Sequence, residues 1–149
     1  MRRLFPLALF ASVLLLATAV HAADRATPED AKALAIKAAD YLRLAGPEKA
    51  FEEFSAKEGP WHDRDLYVYV EDGNAVLRAH GALPAIVGRS MVDLKDVDGV
   101  SISGQIQAIK DAGWIHYKWM NPVTKSVEPK TAYEVRVGEY IVGVGAYAK

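Results

Sequence analysis

The sequence predicts an α+β domain in which helices come first and an antiparallel sheet of five strands follows. Residues 27–57 carry apolar side chains at the spacing of amphipathic helices. Residues 66–80 and 114–147 alternate in hydrophobicity with a period of two, and turn residues separate the alternating segments. Because the strands do not alternate with helices, this order favours an antiparallel sheet with the helices on one side. The length of 149 residues suits a single domain.

The N-terminal residues have the layout of a secretory signal peptide. Arg2 and Arg3 precede an apolar stretch from Leu4 to Val20, and Val20-His21-Ala22 has the small-x-small pattern of a cleavage site. We expect cleavage after Ala22, which makes residues 1–22 a signal peptide and residues 23–149 one periplasmic or secreted domain. An uncleaved membrane anchor is the alternative. It is less favoured, because the apolar run is marginal against the roughly 20 residues of a spanning helix.

The composition excludes two classes of protein. Loss of Arg2 and Arg3 leaves 16 of the 18 Lys and Arg residues against 19 Asp and Glu residues, a net charge of −3. A weakly acidic chain without a basic cluster argues against nucleic-acid binding, which needs grouped Lys and Arg for phosphate contacts. The chain has no cysteine, so the exported domain has no disulfides and must rely on its hydrophobic core.

Two helices are predicted at the start of the domain. Thr27 can cap the first helix, Pro28 suits its first turn, and Gly46-Pro47 ends it. A shorter second helix runs from Pro47 to about Lys57, before Gly59-Pro60. The inner stripe of the first helix repeats at helical spacing and comprises Leu34, Ala38, Tyr41, Leu42 and Ala45.

The rest of the chain predicts a hairpin, a long connection and three more strands. Residues 66–80 alternate around Asp72-Gly73, where glycine supplies the positive φ of a tight turn. Residues 81–112 are rich in glycine and then helical from a Ser101 cap towards Gly113; we call residues 81–112 the roof, because they are long enough to cover one face of the sheet. The last strands are expected at about 114–120, 130–137 and 140–147.

The sequence offers little sign of catalysis. There is no cysteine nucleophile, no complete Gly-x-Ser-x-Gly elbow and no HExxH motif, and His62, His80 and His116 lie far apart. We therefore expect no enzyme activity, no metal and no cofactor.

Asp96 and Asp98 invite comparison with a calcium loop. However, Leu94 and Gln105 stand where two of the defining ligands belong, so a solvated acidic turn is favoured.

Aromatic and cationic residues in the C-terminal strands are the main functional signal. Tyr117 and Trp119 share one strand face and combine large apolar bodies with polar tips, which suits the wall of a pocket for a small polar ligand. Lys130 and Tyr133 add donors on the next strand, although Lys130 as a solvated surface lysine remains open. The candidate ligand-binding residues are Tyr117, Trp119, Lys130 and Tyr133, with His80 and Arg89 as further candidates.

The ordered segments resemble a known family. They are LYVYVEDGNAVLRAH, PAIVGRSMVDLKDVDG, GWIHYKWMNP, PKTAY and YIVGVGAY, and together they resemble the single Cache domain (sCache_2 type) of bacterial extracytoplasmic sensors over about residues 28–147. The resemblance implies a PAS-like sheet after a long N-terminal helix, with a small molecule, often a short organic acid, bound between the sheet and the roof. Lys130 and Tyr133 match a Lys-x-x-Tyr position of the family, whereas Met120-Asn121 stands where Pro-Lys is usual.

Two functional hypotheses follow. The first is a periplasmic Cache domain that binds a short organic carboxylate in a sensory or ligand-presenting role, with a membrane receptor or sensor kinase as partner. Family receptors continue into a second membrane helix and a signalling module, whereas this sequence ends at Lys149, so we expect a stand-alone domain. The alternative is a structural or protein-interaction module that has lost ligand binding, with the pocket filled by its own side chains.

The processing of the chain can be tested directly. The exported protein should begin near Ala23, because the charged start, apolar core and small-x-small site occur in the order that signal peptidase recognises. Intact-mass measurement of exported material checks this. A membrane-bound product that retains Met1 would contradict cleavage.

Overall fold

A computed structural model describes residues 25–148, so the predicted signal peptide lies outside the described residues. The chain begins with α1 (Pro28–Ala45) and α2 (Pro47–Ser55). The strands are β1 (His62–Asp63), β2 (Leu66–Asp72), β3 (Leu77–His80), β4 (Ala112–Met120), β5 (Val127–Val137) and β6 (Tyr140–Tyr147), and α3 (Ile102–Gln107) lies between β3 and β4.

The strands form one antiparallel sheet, which confirms the predicted α+β architecture. The order along the sheet is β1-β2-β6-β5-β4, and β3 pairs with the same edge of β2 as β1 does. The sequence predicts five strands and the sheet has six, because the two-residue β1 is too short to show a period. β6 lies at the centre and joins the hairpin of β2 and β3 to the meander of β4, β5 and β6.

Helix α1 packs closely on one face of the sheet. Thr27 and Asp30 form a capping box at its start, and Gly46, with φ of +81°, permits the sharp passage into α2. The buried side of α1 consists mainly of alanine, which lets the helix approach the sheet without large side chains between them. Its buried residues are Ala31, Ala35, Ala38, Ala39 and Leu42.

The sheet has a core on each face. Towards α1, the buried side chains of the strands are aliphatic, and they include Leu66, Val68, Val70, Val135, Val142 and Val144. Towards the roof, the strands carry larger and more polar groups, and that cluster includes Tyr67, Tyr69, Ile115, Tyr117 and Tyr147 with Ile102 and Ile106 of the roof. Every residue of β2 is therefore buried, with alternate side chains in the two cores.

The hairpin turn differs from the tight Asp-Gly turn that the sequence predicts. Ala75, with φ of +56°, adopts the left-handed conformation, and Gly73 does not. The side chain of Asp72 organises the turn, since its Oδ1 accepts hydrogen bonds from the Asn74 and Val76 amides at 2.9 and 3.0 Å. Its Oδ2 accepts from the Arg78 guanidinium at 2.6 to 2.8 Å.

The roof covers the face of the sheet that is remote from α1. Its helix is shorter than predicted and ends at Gln107, before Gly113. Arg136 of β5 explains the early end, because its guanidinium donates to the Ile109 and Gln107 carbonyls at 2.7 and 3.3 Å. Asp96 ties the roof to β4 by accepting the Lys118 amide at 2.9 Å. Within residues 25–148, no helix is long and apolar enough to cross a membrane.

Removing the Asp72 carboxylate should destabilise the hairpin. Asp72→Ala leaves the Asn74 and Val76 amides without their acceptor, so the free energy of unfolding should fall by about 3 kcal/mol. Urea unfolding measures the change. Asp98→Ala is the matched control, since that carboxylate pairs with Lys118 at the surface, and it should cost less than about 1 kcal/mol. Equal effects of the two substitutions would contradict this role for Asp72.

Candidate functional site

A small cavity lies between the sheet and the roof. Its volume of about 30 Å³ is two to three times the roughly 10–15 Å³ that one water molecule needs. The sheet contributes aromatic and ionisable groups, whereas the roof contributes aliphatic ones. The lining residues are Tyr67, Tyr69, Glu71, Leu77, His80, Tyr117 and Trp119 from the strands, and Ile86, Met91, Leu94, Ile102 and Ile106 from the roof.

Two glycines of β6 make room for the polar groups of this face. A Cβ added to Gly145 would collide with the Lys130 side chain, and one added to Gly143 would collide with Glu134 and the Tyr69 ring. The register agrees with this placement, because Gly145 pairs with Ala132 and Gly143 pairs with Glu134. The centre of the sheet can therefore hold an ammonium and a carboxylate from β5 only because β6 has no side chains there.

Lys130 is the buried cation of the site. Only 2% of the residue is exposed, and its Nζ donates to the Tyr67 hydroxyl at 2.9 Å. Burial lowers the pKa of Lys130 to about 7, against the opposing attraction of Glu134 and Asp65. The Nζ also lies 4.2 to 5.7 Å from the centres of four tyrosine rings, which offer the cation their π faces. We call these four rings the tyrosine layer: Tyr67, Tyr69, Tyr117 and Tyr147.

A chain of hydroxyl groups leads away from Lys130. Tyr147 donates its proton to the Met120 carbonyl at 2.8 Å, so in the 3.1 Å contact between the two hydroxyls Tyr67 is the donor. The Tyr67 oxygen in turn accepts from Lys130. The Tyr67 proton therefore has one protein acceptor, and it can turn towards a ligand oxygen without breaking the bond to Lys130.

Glu134 is the buried anion that faces the same layer. It is fully buried, and burial raises its pKa to about 7 although Tyr69 and Lys130 oppose the shift. The Tyr69 hydroxyl donates to Oε1 of Glu134, and the Tyr117 hydroxyl donates to that of Tyr69 at 3.2 Å. Its Oε2 has no hydrogen-bond partner among residues 25–148.

His80 enters the site as a neutral donor. Burial, and then the nearby Lys130 charge, lower its pKa to about 3. Its Nδ1 accepts the Leu83 amide at 2.9 Å, so in the neutral ring the proton sits on Nε2. The ring lies tilted against that of Tyr67, with 4.9 Å between the ring centres. His80 therefore offers a cavity ligand one N–H donor and no charge.

Glu71 is a second carboxylate at the cavity wall. Its Oε2 accepts from the Ser103 hydroxyl at 2.7 Å and from Nε2 of Gln107 at 3.1 Å, and both donors belong to α3. Burial raises the pKa of Glu71, although these two hydrogen bonds oppose the shift. Glu71 therefore connects the sheet, the cavity and the roof.

The structure brings some of the predicted site residues together and separates others. Tyr117, Trp119 and His80 line the cavity, and Lys130 lies directly behind the tyrosine layer. The alternative of a solvated Lys130 is wrong, because the residue is buried. Tyr133 lies on the opposite face of the sheet, beside Lys32 of α1, and Arg89 is exposed on the roof, so neither lines the cavity.

Sequence reasoning missed more than half of the polar groups of the site. The missed residues are Tyr67, Tyr69, Glu71, Glu134 and Tyr147. A signal was present, since a period of two from Lys130 reaches Glu134 and excludes Tyr133.

The acidic turn is confirmed at Asp96, whose Oδ1 accepts the Asp98 and Val100 amides at 2.9 Å. Among residues 25–148, no three or more His, Asp or Glu side chains come together in an arrangement that could hold a metal ion.

Comparison with known proteins agrees with this architecture. The model of the family "Single Cache domain 2" matches residues 13–149. The chain belongs to this family. Cache domains of this kind are extracytoplasmic sensory domains that bind small ligands, and they carry the PAS-like antiparallel sheet found here. A comparison with curated proteins gave no match.

Three solved structures are similar to this Cache domain. A methyl-accepting chemotaxis protein from Vibrio parahaemolyticus RIMD 2210633 has a TM-score of 0.69 at 20% identity, over 80% of this chain and 86% of that one. A Cache chemosensory domain that recognises carboxylic acid has a TM-score of 0.68 at 23% identity, over 81% and 92%. The periplasmic sensor domain of a chemotaxis protein has a TM-score of 0.63 at 19% identity, over 81% and 90%. At these identities the likeness shows the shared fold.

The two buried charges should give this Cache domain an unusual pH profile. Between pH 7 and 10.5 the unfolded chain keeps a proton on Lys130 that the folded chain lacks, so the free energy of unfolding should rise with pH. Between pH 4.5 and 7 the folded chain keeps a proton on Glu134 that the unfolded chain lacks, so the free energy of unfolding should fall as pH rises. Each slope approaches on the order of 1 kcal/mol per pH unit.

Urea unfolding at a series of pH values, on the wild type and two variants, checks this expectation. Lys130→Met should abolish the rise in the free energy of unfolding between pH 7 and 10.5. Glu134→Gln should abolish the decrease in the free energy of unfolding as the pH rises from 4.5 to 7. Lys110→Met changes an exposed lysine of the roof and should keep the wild-type profile. A Lys130→Met profile parallel to that of the wild type from pH 7 to 10 would show that Lys130 is not buried as described.

Proposed function

We propose that this Cache domain binds a short organic carboxylate between the sheet and the roof, in a sensory or ligand-presenting role. The observation that carries the proposal is the buried ammonium of Lys130, which has one hydrogen bond and lies behind the rings that line the cavity. The tyrosine rings and the attraction of Glu134 and Asp65 only partly replace the hydration that burial removes, so this cation gains from a further anion close to it. A ligand carboxylate would supply that anion.

The donors at one end of the cavity suit a carboxylate. The Tyr67 hydroxyl is held by Lys130 and can turn its proton to a ligand oxygen, and His80 offers Nε2–H. Charge-assisted hydrogen bonds contribute on the order of 1.5 to 3 kcal/mol each, whereas each buried CH₂ contributes only about 0.8 kcal/mol. For a ligand of two or three carbons, polar contacts therefore supply most of the affinity. The Trp119 and Tyr117 rings exclude water around them.

The small size of the cavity favours short acids. A volume of about 30 Å³ holds two to three water molecules, so an acid of two or three carbons needs the least displacement of the roof and a larger acid needs more. The same observation also supports the second hypothesis, a module that has lost its ligand, because the tyrosine layer already surrounds Lys130. The two functions differ in one measurable property, which is whether any short acid binds.

Location and partner belong to the same proposal. Processing after Ala22 would release the domain to the periplasm, where family members sense small molecules. Two of the similar structures are parts of chemotaxis proteins, which supports a membrane receptor or a sensor kinase as the partner that reads the bound state. No nucleic acid and no enzymatic turnover are included in the proposed role.

Removing the charge of Lys130 should weaken acid binding. Lys130→Met keeps most of the side-chain volume but deletes the ammonium, so the dissociation constant of propionate should rise tenfold or more, which corresponds to about 1.4 kcal/mol per decade. Isothermal titration calorimetry at pH 6.5 measures the change. Tyr67→Phe removes the hydroxyl next to Lys130 and should weaken propionate in the same direction.

Two control variants make the result specific. Tyr133→Phe alters a hydroxyl on the opposite face of the sheet, and Lys110→Met removes an exposed lysine of the roof, so neither should change the affinity for propionate. Unchanged affinity in Lys130→Met would show that Lys130 does not attract the anion. If the wild type bound no short acid at all, the module without ligand binding would be the correct function.

A further inference from the structure

Glu71 makes the two ends of the cavity chemically different. The end near Tyr67 and His80 carries donors and lies beside the Lys130 cation. Glu71 pairs with Ile141 on β6, four residues further along β2 than Tyr67, so it stands towards the other end of the same strand face. The cavity thus has donors at one end and a carboxylate at the other.

One oxygen of the Glu71 carboxylate is already used. Ser103 and Gln107 both donate to Oε2, and Gln107 also donates to the Asp72 carbonyl at 2.9 Å. These bonds attach α3 to the sheet and account for the presence of a polar group at this position. They do not account for a carboxylate, because a single acceptor oxygen, such as that of an amide, would satisfy both donors.

The other oxygen, Oε1, accepts no hydrogen bond from any residue in the described range 25–148. Glu71 is only 2% exposed, but its Oε1 is not among the buried atoms that lack a partner, so this oxygen keeps its contact with the cavity. A ligand that fills the cavity displaces water from Oε1, and without a donor on the ligand the lost hydration is not replaced. Because Glu71 lines the cavity, a donor that enters the cavity is the group placed to satisfy this oxygen.

We propose that Glu71 selects short acids that carry a hydrogen-bond donor, a hydroxyl or an ammonium, at the end away from their carboxylate. The inference rests on the proposed function, because it assumes that the carboxylate of the ligand occupies the end near Lys130. An acid with a methyl group in the donor position leaves the Glu71 oxygen unsatisfied. A diacid brings a second negative charge to Glu71 and is rejected by repulsion.

Two sets of matched acids test the proposal without relying on a variant. Propionate, glycolate and glycine have five non-hydrogen atoms each and end in a methyl, a hydroxyl and an ammonium. Butyrate, 3-hydroxypropionate and β-alanine form the same series one atom longer, and malonate adds the diacid. Calorimetry on the purified protein should show that at least one donor-bearing acid binds tenfold or more tightly than its methyl counterpart, while malonate binds more weakly than either.

The variant Glu71→Met assigns the preference to this residue. It removes both carboxylate oxygens at similar volume, so the ratio of affinities between the donor-bearing acid and its methyl counterpart should fall to about twofold or less. Glu71→Gln keeps an acceptor oxygen for the Ser103 and Gln107 donors of α3. It provides a second variant if Glu71→Met does not fold. In Glu71→Gln the preference for an ammonium ligand should fall, because the neutral amide no longer attracts a cation.

The outcomes separate this inference from the proposed function. If propionate and butyrate bind as tightly as their donor-bearing counterparts, or if malonate binds best, the role of Glu71 is wrong while the carboxylate site stands. If the donor preference persists in both Glu71 variants, another group selects the ligand and the inference is also wrong. If no acid of either series binds, the proposed function itself fails. A preference for the hydroxyl or for the ammonium identifies which donor the site uses.

Discussion

The centre of the sheet depends on the absence of two side chains. Gly143 and Gly145 of β6 leave the space that Lys130, Glu134 and the Tyr69 ring occupy, and any Cβ at these positions would collide with those groups. Glycine weakens a strand interior, because it packs nothing and orders at a higher entropic cost. Here the loss is offset by the close approach of β5 side chains to the backbone of β6. The tyrosine layer surrounds the Lys130 side chain that this arrangement admits.

Burial of Lys130 is tolerated because several weak interactions replace water. Tyr67 accepts one N–H bond, the four rings of the tyrosine layer present their π faces, and Glu134 supplies a compensating charge. None of these equals full hydration of an ammonium, and the lowered pKa of Lys130 measures what is missing. An anion added beside Lys130 would favour the charged form of its side chain, because it would replace part of the hydration that is missing.

Sequence patterns predicted the elements with a strong period and missed those that depend on distant residues. The capped α1 and the shared face of Tyr117 and Trp119 followed from local spacing. The end of α3 did not, because it is set by Arg136, which lies about 30 residues further along the chain. The burial of Lys130 was equally hidden, since it depends on Gly145 in the neighbouring strand. Tyr67 and Tyr69 were overlooked because β2 is buried on both faces, and alternation does not reveal which face holds a cavity.

The way in which the roof is attached to the sheet determines which part of the domain can move when the cavity is filled. The sheet is fixed by continuous strand pairing and by the alanine-rich side of α1, so it has little freedom to adapt. Residues 88–91 of the roof are hydrogen-bonded through the backbone to β3 and the hairpin turn. Residues 92–110 are held to the sheet by side-chain contacts, among them Asp96 to β4 and the α3 donors to Glu71. Because the cavity is small, a ligand of more than a few atoms has to displace the roof and not the sheet. Glu71 is bonded to α3 through one oxygen and lines the cavity, so a ligand that contacted this carboxylate would also act on the position of α3.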